Sequence, residues 1–296
     1  MLKTRQIGGD HTQELEVLFR QLDSFFAEGR IEEVEPWLKE KIAKADNENR
    51  ETVLAALWSE LGGFYRGSGR LKESEQAFCD AVKLAEKREE TDTPSFGVLL
   101  INLAGTLRLA KRFKEALNLY DRAEAIMRNR DQNEDISYQI ASLYNNRSLV
   151  YQEMEHLEDA KDALLKALVI IDGKPECREE AAITYTNLAL LYGKQNCREE
   201  EEKALNQALK LYEGLDQMNN PHYASVLSAL GGCFYEQREY EKALNVLEQA
   251  AGIMYRLFGS NCEYGTIMHN IETVRQQMDK EGKMADEGNG TGKRIL

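Results

Sequence analysis

The feature that most constrains the fold is a small residue that recurs at nearly constant spacing inside a helical apolar pattern. It stands at Gly62, Ala104, Ser148, Ala189 and Gly231, with separations of 42, 44, 41 and 42 residues. Self-similarity at a period of about 20–50 residues is typical of repeat architectures. The chain is therefore predicted to be a stack of similar units, although a length of 296 residues would otherwise suggest about two domains.

Each repeat has the pattern of two amphipathic helices. In the clearest one, Leu227, Leu230 and Phe234 surround the small site of the first helix, and Ala243 and Leu247 lie in the second. Antiparallel helices pack roughly 8–10 Å apart, and the close end of that range requires small side chains at the contact. Only four prolines and few alternating β-branched runs favour an all-helical chain.

These residues resemble the tetratricopeptide repeat, whose motif is bulky, Leu, Gly/Ala, aromatic, then Ala, aromatic/Leu, Ala. The motif is met at two places by Trp58, Leu61, Gly62, Tyr65, Phe78 and Ala81, and by Leu227, Leu230, Gly231, Phe234, Ala243, Leu247 and Ala250. The period near 42, against the commoner value of about 34, resembles the kinesin-light-chain subtype found widely in bacteria, as does the linker 219–224. The resemblance covers residues 14–278 and implies a scaffold that serves many partners.

The predicted architecture is an all-α solenoid of about six antiparallel helix pairs with a capping helix, over residues 13–278. The pairs are placed near 14–46, 52–88, 95–130, 136–173, 178–215 and 221–258, and the cap helix at 263–278. A cap with a polar outer face protects the end of a solenoid. Residues 1–12 are predicted to be flexible, and residues 279–296, which hold glycines among charges, to be disordered.

Composition narrows the function. A net charge of −13 makes nucleic acid or an anionic membrane an improbable main partner. No apolar run approaches the length of a membrane span, and the five cysteines form no C-x-x-C pair. We therefore expect a cytoplasmic protein with reduced thiols and without a zinc site or disulfide framework.

No catalytic motif is found. The four histidines have no H-x-x-x-H arrangement, and no Walker-type glycine loop is present. The glycine clusters 62–63, 67–69 and 231–232 lie within helical patterns or at their turns, and not between a strand and a helix. The chain is expected to be no enzyme and to need no cofactor or metal.

A series of asparagines lies on the first-helix face that is not used within the repeat. Its members are Asn102, Asn146, Asn187 and, in the cap helix, Asn270, with steps of 44, 41 and 83 residues. An asparagine amide can pair with both the N–H and the C=O of an extended peptide. The resemblance agrees, because groove asparagines hold ligand backbone in kinesin-light-chain-like repeats and bacterial peptide-pheromone sensors. Hydrogen bonding to a neighbouring helix or loop is the alternative, and the adjacent Asn145 is included in the predicted site.

Three cations are weaker candidates for the same groove. Arg66 and Arg108 recur one helical turn beyond the aromatic region, and Lys194 lies nearby in the fourth repeat. They could neutralise an acidic peptide or its C-terminal carboxylate, or they could be solvated cations near helix C-termini. Arg147 replaces the expected Leu on an apolar face. A buried unpaired guanidinium would be costly, so an internal ion pair is predicted, with a ligand role as the alternative.

The sequence predicts a non-enzymatic scaffold or adaptor that binds an extended peptide or partner-protein segment in its concave groove. One alternative is a structural subunit that self-associates or bridges a complex through its convex face or ends. Another is a peptide-responsive regulatory module that lacks a DNA-binding domain, since no helix-turn-helix pattern precedes the repeats.

Overall fold

The computed structural model describes residues 12–128, 136–213, 215, 217 and 220–290. Within these residues the chain forms thirteen α-helices and one short 3-10 helix, and no strand is found. The all-α prediction is confirmed. The predicted flexible N-terminus, apart from residue 12, and the last six residues of the predicted tail lie outside the described residues.

The chain divides into two compact units, residues 1–171 and 172–296. The helices of the first unit are α1 (Thr12–Ala27), α2 (Ile31–Asn47), α3 (Glu51–Gly67), α4 (Leu71–Lys87), α5 (Pro94–Leu109), α6 (Phe113–Arg128), α7 (Ser137–Glu153) and α8 (Leu157–Ile171). Those of the second unit are α9 (Arg178–Lys194), α10 (Arg198–Tyr212), α11 (Pro221–Glu236), α12 (Tyr240–Phe258) and α13 (Cys262–Gly290). The last helix is longer than the predicted 263–278, and its extension contains Lys, Glu, Met and Ala, which are good helix formers.

Consecutive helices pack as antiparallel pairs inside each unit, and the small sites lie at the contacts. A Cβ placed on Gly62 would lie 2.9 Å from the ring of Phe78 on α4, and one on Gly231 would lie 2.5 Å from Leu247 on α12. Ala104 is fully buried. The small residues therefore set how closely the two helices of a pair approach, as the repeat pattern predicts.

The turn within a pair ends the first helix in a left-handed residue. Between α3 and α4 this residue is Gly69, whose φ is +74°. Its N–H donates to the carbonyl of Arg66 at 3.1 Å, and the N–H of Arg70 donates to that of Tyr65 at 2.9 Å. This is the Schellman arrangement, which satisfies the last carbonyls of a helix. It turns the chain in three residues, so the two helices are neighbours.

Ion pairs join successive pairs of the first unit. Arg70, at the start of α4, donates to Glu35 on α2 at 2.6 Å, and Arg112, at the start of α6, donates to Glu75 on α4 at 2.6 Å. The pKa of Glu35 is lowered to about 2, chiefly by the hydrogen bond from Lys39 and then by those from Arg70 and Tyr65, against a rise caused by burial. These contacts join the pairs α1–α2, α3–α4 and α5–α6 to one another.

Candidate functional site

A cleft of about 440 Å³ opens between the first helices of the first unit. Its lining comes from α3, α5 and α7, and consists of Gly63, Arg66, Gly67, Val98, Ile101, Asn102, Gly105, Arg108, Leu109, Gln139, Ser142 and Asn146. A second cavity of about 80 Å³, walled partly by α1 and α2, shares Gly63, Arg66 and Asn102 with it. These three residues therefore contribute to both cavities.

Two of the predicted asparagines line this cleft together. Asn102 on α5 and Asn146 on α7 are both partly exposed. The side-chain amide of Asn102 makes no hydrogen bond with another described residue. Asn146 donates its Nδ2 to the carbonyl of Ser142, one turn earlier on α7, at 2.8 Å. The first amide is thus open to a ligand, and the second keeps its carbonyl oxygen for one.

The other predicted amides and Lys194 lie elsewhere. Asn145 is only 4% exposed and does not line the cleft, because it faces the interior of its own repeat. Asn187 on α9 and Asn270 on α13 belong to the second unit, and both are partly exposed. Lys194 is exposed at the end of α9.

Arg66 is half-buried and lines both cavities. Its Nη1 donates to the backbone carbonyl of Asn102 at 2.9 Å, and its guanidinium lies 5.6 Å from the centre of the Phe78 ring. Burial lowers the pKa of Arg66, Tyr120 opposes the shift, and the nearby charge of Arg108 adds to it. No carboxylate among the described residues forms an ion pair with Arg66, so its positive charge is not neutralised.

Arg108 lines the same cleft but is paired. Its guanidinium bonds to Glu153 on α7, which also receives Lys111 at 2.5 Å. Burial alone would raise the pKa of Glu153, but the hydrogen bonds from Lys111 and Arg108 lower it. Arg108 is only 18% exposed, so it is not the solvated helix-end cation of the alternative interpretation.

Arg147 forms the predicted internal ion pair. Its two terminal nitrogens bond to Glu124 at 2.6 Å and to Asp121 at 2.9 Å, both on α6. Tyr144 donates its hydroxyl to the same Glu124 at 2.6 Å. The residue is 8% exposed, and only its Nε has no hydrogen-bond partner among the described residues. The prediction of an internal pair is confirmed.

Gly63, which lines the cleft, and Tyr120, which lines neither cavity but interacts electrostatically with Arg66, were not predicted. A Cβ on Gly63 would meet no atom within 4 Å, so this glycine leaves room in the cleft, whereas its neighbour Gly62 packs against α4. The hydroxyl of the fully buried Tyr120 has no hydrogen-bond partner among the described residues, and burial raises its pKa to about 12. The sequence signal that could have indicated Gly63 is a second glycine directly after the packing glycine, at a helical position that the repeat pattern does not require to be small.

Among residues 12–128, 136–213 and 220–290, no three His, Cys, Asp or Glu side chains are placed to hold a metal ion. No described helix combines the length and the apolar content that crossing a membrane requires.

Two family models match parts of the sequence. Residues 53–129, which run from α3 to the end of α6, match the tetratricopeptide repeat. Residues 124–225 match a family described as an uncharacterized protein conserved in bacteria. A search of curated proteins found no match. The resemblance to tetratricopeptide repeats is confirmed over the first of these ranges.

Solved structures resemble the chain over most of its length. BtubC (BKLC) from P. vanneervenii is 18% identical with a TM-score of 0.59, over 76% of this chain and 95% of that one. The Cut9-Hcn1 hetero-tetramer of the APC/C is 15% identical with a TM-score of 0.60, over 87% of this chain and 42% of that one. Kinesin light chain TPR-like repeats from Podospora anserina are 17% identical with a TM-score of 0.51, over 67% of this chain and 93% of that one. At these identities the likeness shows the fold alone, and it confirms the predicted helical solenoid class.

Proposed function

We propose that this protein is a non-enzymatic scaffold that binds an extended peptide, or an extended segment of a partner protein, in the cleft of α3, α5 and α7. The observation that carries the proposal is that Asn102 and Asn146, from successive first helices, line one open cleft. A cytoplasmic location and the kinesin-light-chain-like repeat subtype are part of the proposal.

The chemistry of the cleft suits peptide backbone. Helices about 8–10 Å apart meet an extended chain roughly every third residue, since one residue spans about 3.3 Å. An asparagine at each meeting point can bond the backbone whatever the ligand side chain is. The volume of about 440 Å³ lies within the range of ligand sites, roughly 300–1,000 Å³.

The proposal extends to the second unit by analogy of position. Asn187 on α9 stands two residues before the small site, as Asn102 and Asn146 do. We infer that Asn187, Asn270 and Lys194 are peptide-binding residues of the second unit. The hetero-tetrameric state of the similar Cut9-Hcn1 structure supports partner binding as a use of this fold.

Affinity capture from native lysate with mass spectrometry tests the proposal. The double variant Asn102→Ala/Asn146→Ala is compared with Asn118→Ala, an exposed asparagine on α6 that does not line the cleft. A partner retained by wild type and by Asn118→Ala, and lost by the double variant at unchanged helicity, supports cleft binding. Equal capture by all three proteins contradicts it.

A structural role is the second candidate, and exposed apolar side chains near the end of the second unit favour it. Tyr255 and Phe258 on α12 are 58% and 55% exposed, and Met268 on α13 is 38% exposed. Burying such side chains drives association. Light scattering should then show concentration-dependent oligomers that Tyr255→Ser/Phe258→Ser abolishes, whereas a monomer at high concentration rules this role out.

A further inference from the structure

The lining of the main cleft carries positive charge and no carboxylate. Its charged members are Arg66 and Arg108, and it contains neither Asp nor Glu. The whole chain, by contrast, has a net charge of −13. Because Glu153 neutralises Arg108, the uncompensated charge of the cleft belongs to Arg66.

Arg66 lines the cleft with hydrogen-bond donors that the protein leaves unused. A guanidinium has five N–H donors, and the hydrogen bond to the carbonyl of Asn102 uses only one of its nitrogens. A Cβ on Gly105 would lie 3.0 Å from Nη1, and Gly63 faces open space. Gly105 therefore lets the guanidinium lie against the backbone of α5, and Gly63 leaves a neighbouring part of the cleft open.

We propose that Arg66 binds a carboxylate of the peptide, supplied by an Asp or Glu side chain or by the C-terminus. The proposal rests on the proposed function and gives its ligand a chemical class. The guanidinium fork matches a carboxylate in two parallel hydrogen bonds. A phosphate group carries about −1.5 to −2 charges at pH 7, which a single unpaired arginine does not balance.

The smaller cavity refines this ligand. It shares Arg66 with the cleft, and apolar side chains such as Leu22, Phe26 and Phe64 line it. Glu60 lines this cavity as well. A small apolar side chain beside the carboxylate fits the space of about 80 Å³.

Positional-scanning nonapeptide mixtures test the proposal by fluorescence polarisation with the full chain. Each mixture is made as a free acid and as a C-terminal amide, and each fixed Asp or Glu is matched by Asn or Gln. Wild type should prefer the carboxylate form at one position by about tenfold or more, the range of a charge-assisted hydrogen bond. The matched pairs show whether the carboxylate is internal or terminal.

Three variants test whether Arg66 causes the carboxylate preference. Arg66→Gln should bring the ratio of acid to amide affinity to about one, and Arg66→Lys should retain a weaker preference, because Lys keeps the charge without the fork. Arg20→Gln removes an equal charge from a side chain 77% exposed on α1, and it should behave as wild type. Helicity and melting temperature check that each variant is folded.

The two levels of the proposal fail in different ways. If wild type shows no carboxylate preference, or Arg66→Gln keeps it, the Arg66 subsite is wrong, while weakened binding by Asn102→Ala/Asn146→Ala still upholds the cleft. If no mixture binds, or the asparagine variant binds every mixture as wild type does, the proposed function itself is wrong.

Discussion

The helix pairs α3–α4 and α11–α12 pack in the same way. The first helix of each pair contains a Gly-Gly step whose first member, Gly62 or Gly231, touches a large side chain of the second helix, Phe78 or Leu247. The second glycine of each step faces open space. The contacts that make a pair are therefore the same in both units.

The surfaces of these two pairs differ. Four residues after the packing glycine, α3 has Arg66 and α11 has Tyr235, whose ring lies 5.8 Å from that of Tyr240. Before the second helix, α4 has Arg70 and α12 has Glu239. The comparison teaches that the fold depends on a few packing residues and leaves the other faces free to acquire ligand chemistry. Four stability predictions probe that separation.

The largest effect is expected at Arg147, because it occupies the packing position where α3 has Leu61 and α11 has Leu230. Restoring leucine by Arg147→Leu removes the more buried of the two cations that pair with Glu124, a carboxylate only 17% exposed that keeps its bonds to Tyr144 and Arg128. Removing one partner of a buried pair costs about 3–5 kcal/mol. The free energy of unfolding, measured with denaturant, should therefore fall by about 3 kcal/mol. Arg147→Leu/Glu124→Leu should recover most of that loss, and failure to recover would mean that the pair is not the cause.

The next effect is expected at the packing glycines. Gly62→Ala and Gly231→Ala should each destabilise their unit by about 1–3 kcal/mol, the usual range for overpacking. Gly231 should be the worse site, because the new Cβ meets Leu247 at 2.5 Å against 2.9 Å for Phe78 at Gly62. Circular dichroism during chemical unfolding measures both. If Gly231→Ala unfolds at the same denaturant concentration as wild type, the contact between the packing glycine and the second helix does not limit how closely the two helices pack.

A smaller effect concerns the ion pairs of the first unit. The folded-state pKa of Glu35 is about 2, below its unfolded value, so its stabilisation is complete above pH 4.5 and is lost as the pH falls toward 2. Because the group is 24% exposed, we expect on the order of 1 kcal/mol. Fluorescence of Trp37 and Trp58, both in this unit, follows its unfolding. Glu35→Gln should flatten the pH dependence, and an unchanged acid profile would contradict this account.

The smallest effect is expected beside the packing glycine. Gly63→Ala adds a Cβ where no atom lies within 4 Å, and a helical Gly is less stable than Ala by about 0.5–1 kcal/mol. The variant should therefore raise the midpoint of the tryptophan-detected transition, in the direction opposite to Gly62→Ala. A loss of stability at Gly63 would show that the two glycines have the same role.

Much of the fold could be predicted because it depends on local patterns. The helical spacing of apolar residues and the recurring small site gave the helix pairs, and the register of the first helices brought Asn102 and Asn146 into one cleft. The partners of Arg147 could not be found in this way, since Asp121 and Glu124 look like ordinary surface acids on α6. The unpaired state of Arg66 depends likewise on what lies opposite in space, which periodicity does not encode.

The most direct test of the cleft is a steric block at Gly63. Gly63→Leu projects a side chain into the cleft, and its Cβ meets no atom within 4 Å. Gly252→Leu is the control: its Cβ also meets no atom within 4 Å, but it lies on the exposed face of α12, away from the cleft. Binding isotherms with the best nonapeptide mixture should show affinity at least about tenfold weaker for Gly63→Leu and unchanged for Gly252→Leu, with both proteins folded. Wild-type affinity in Gly63→Leu would contradict the claim that the peptide lies between α3, α5 and α7.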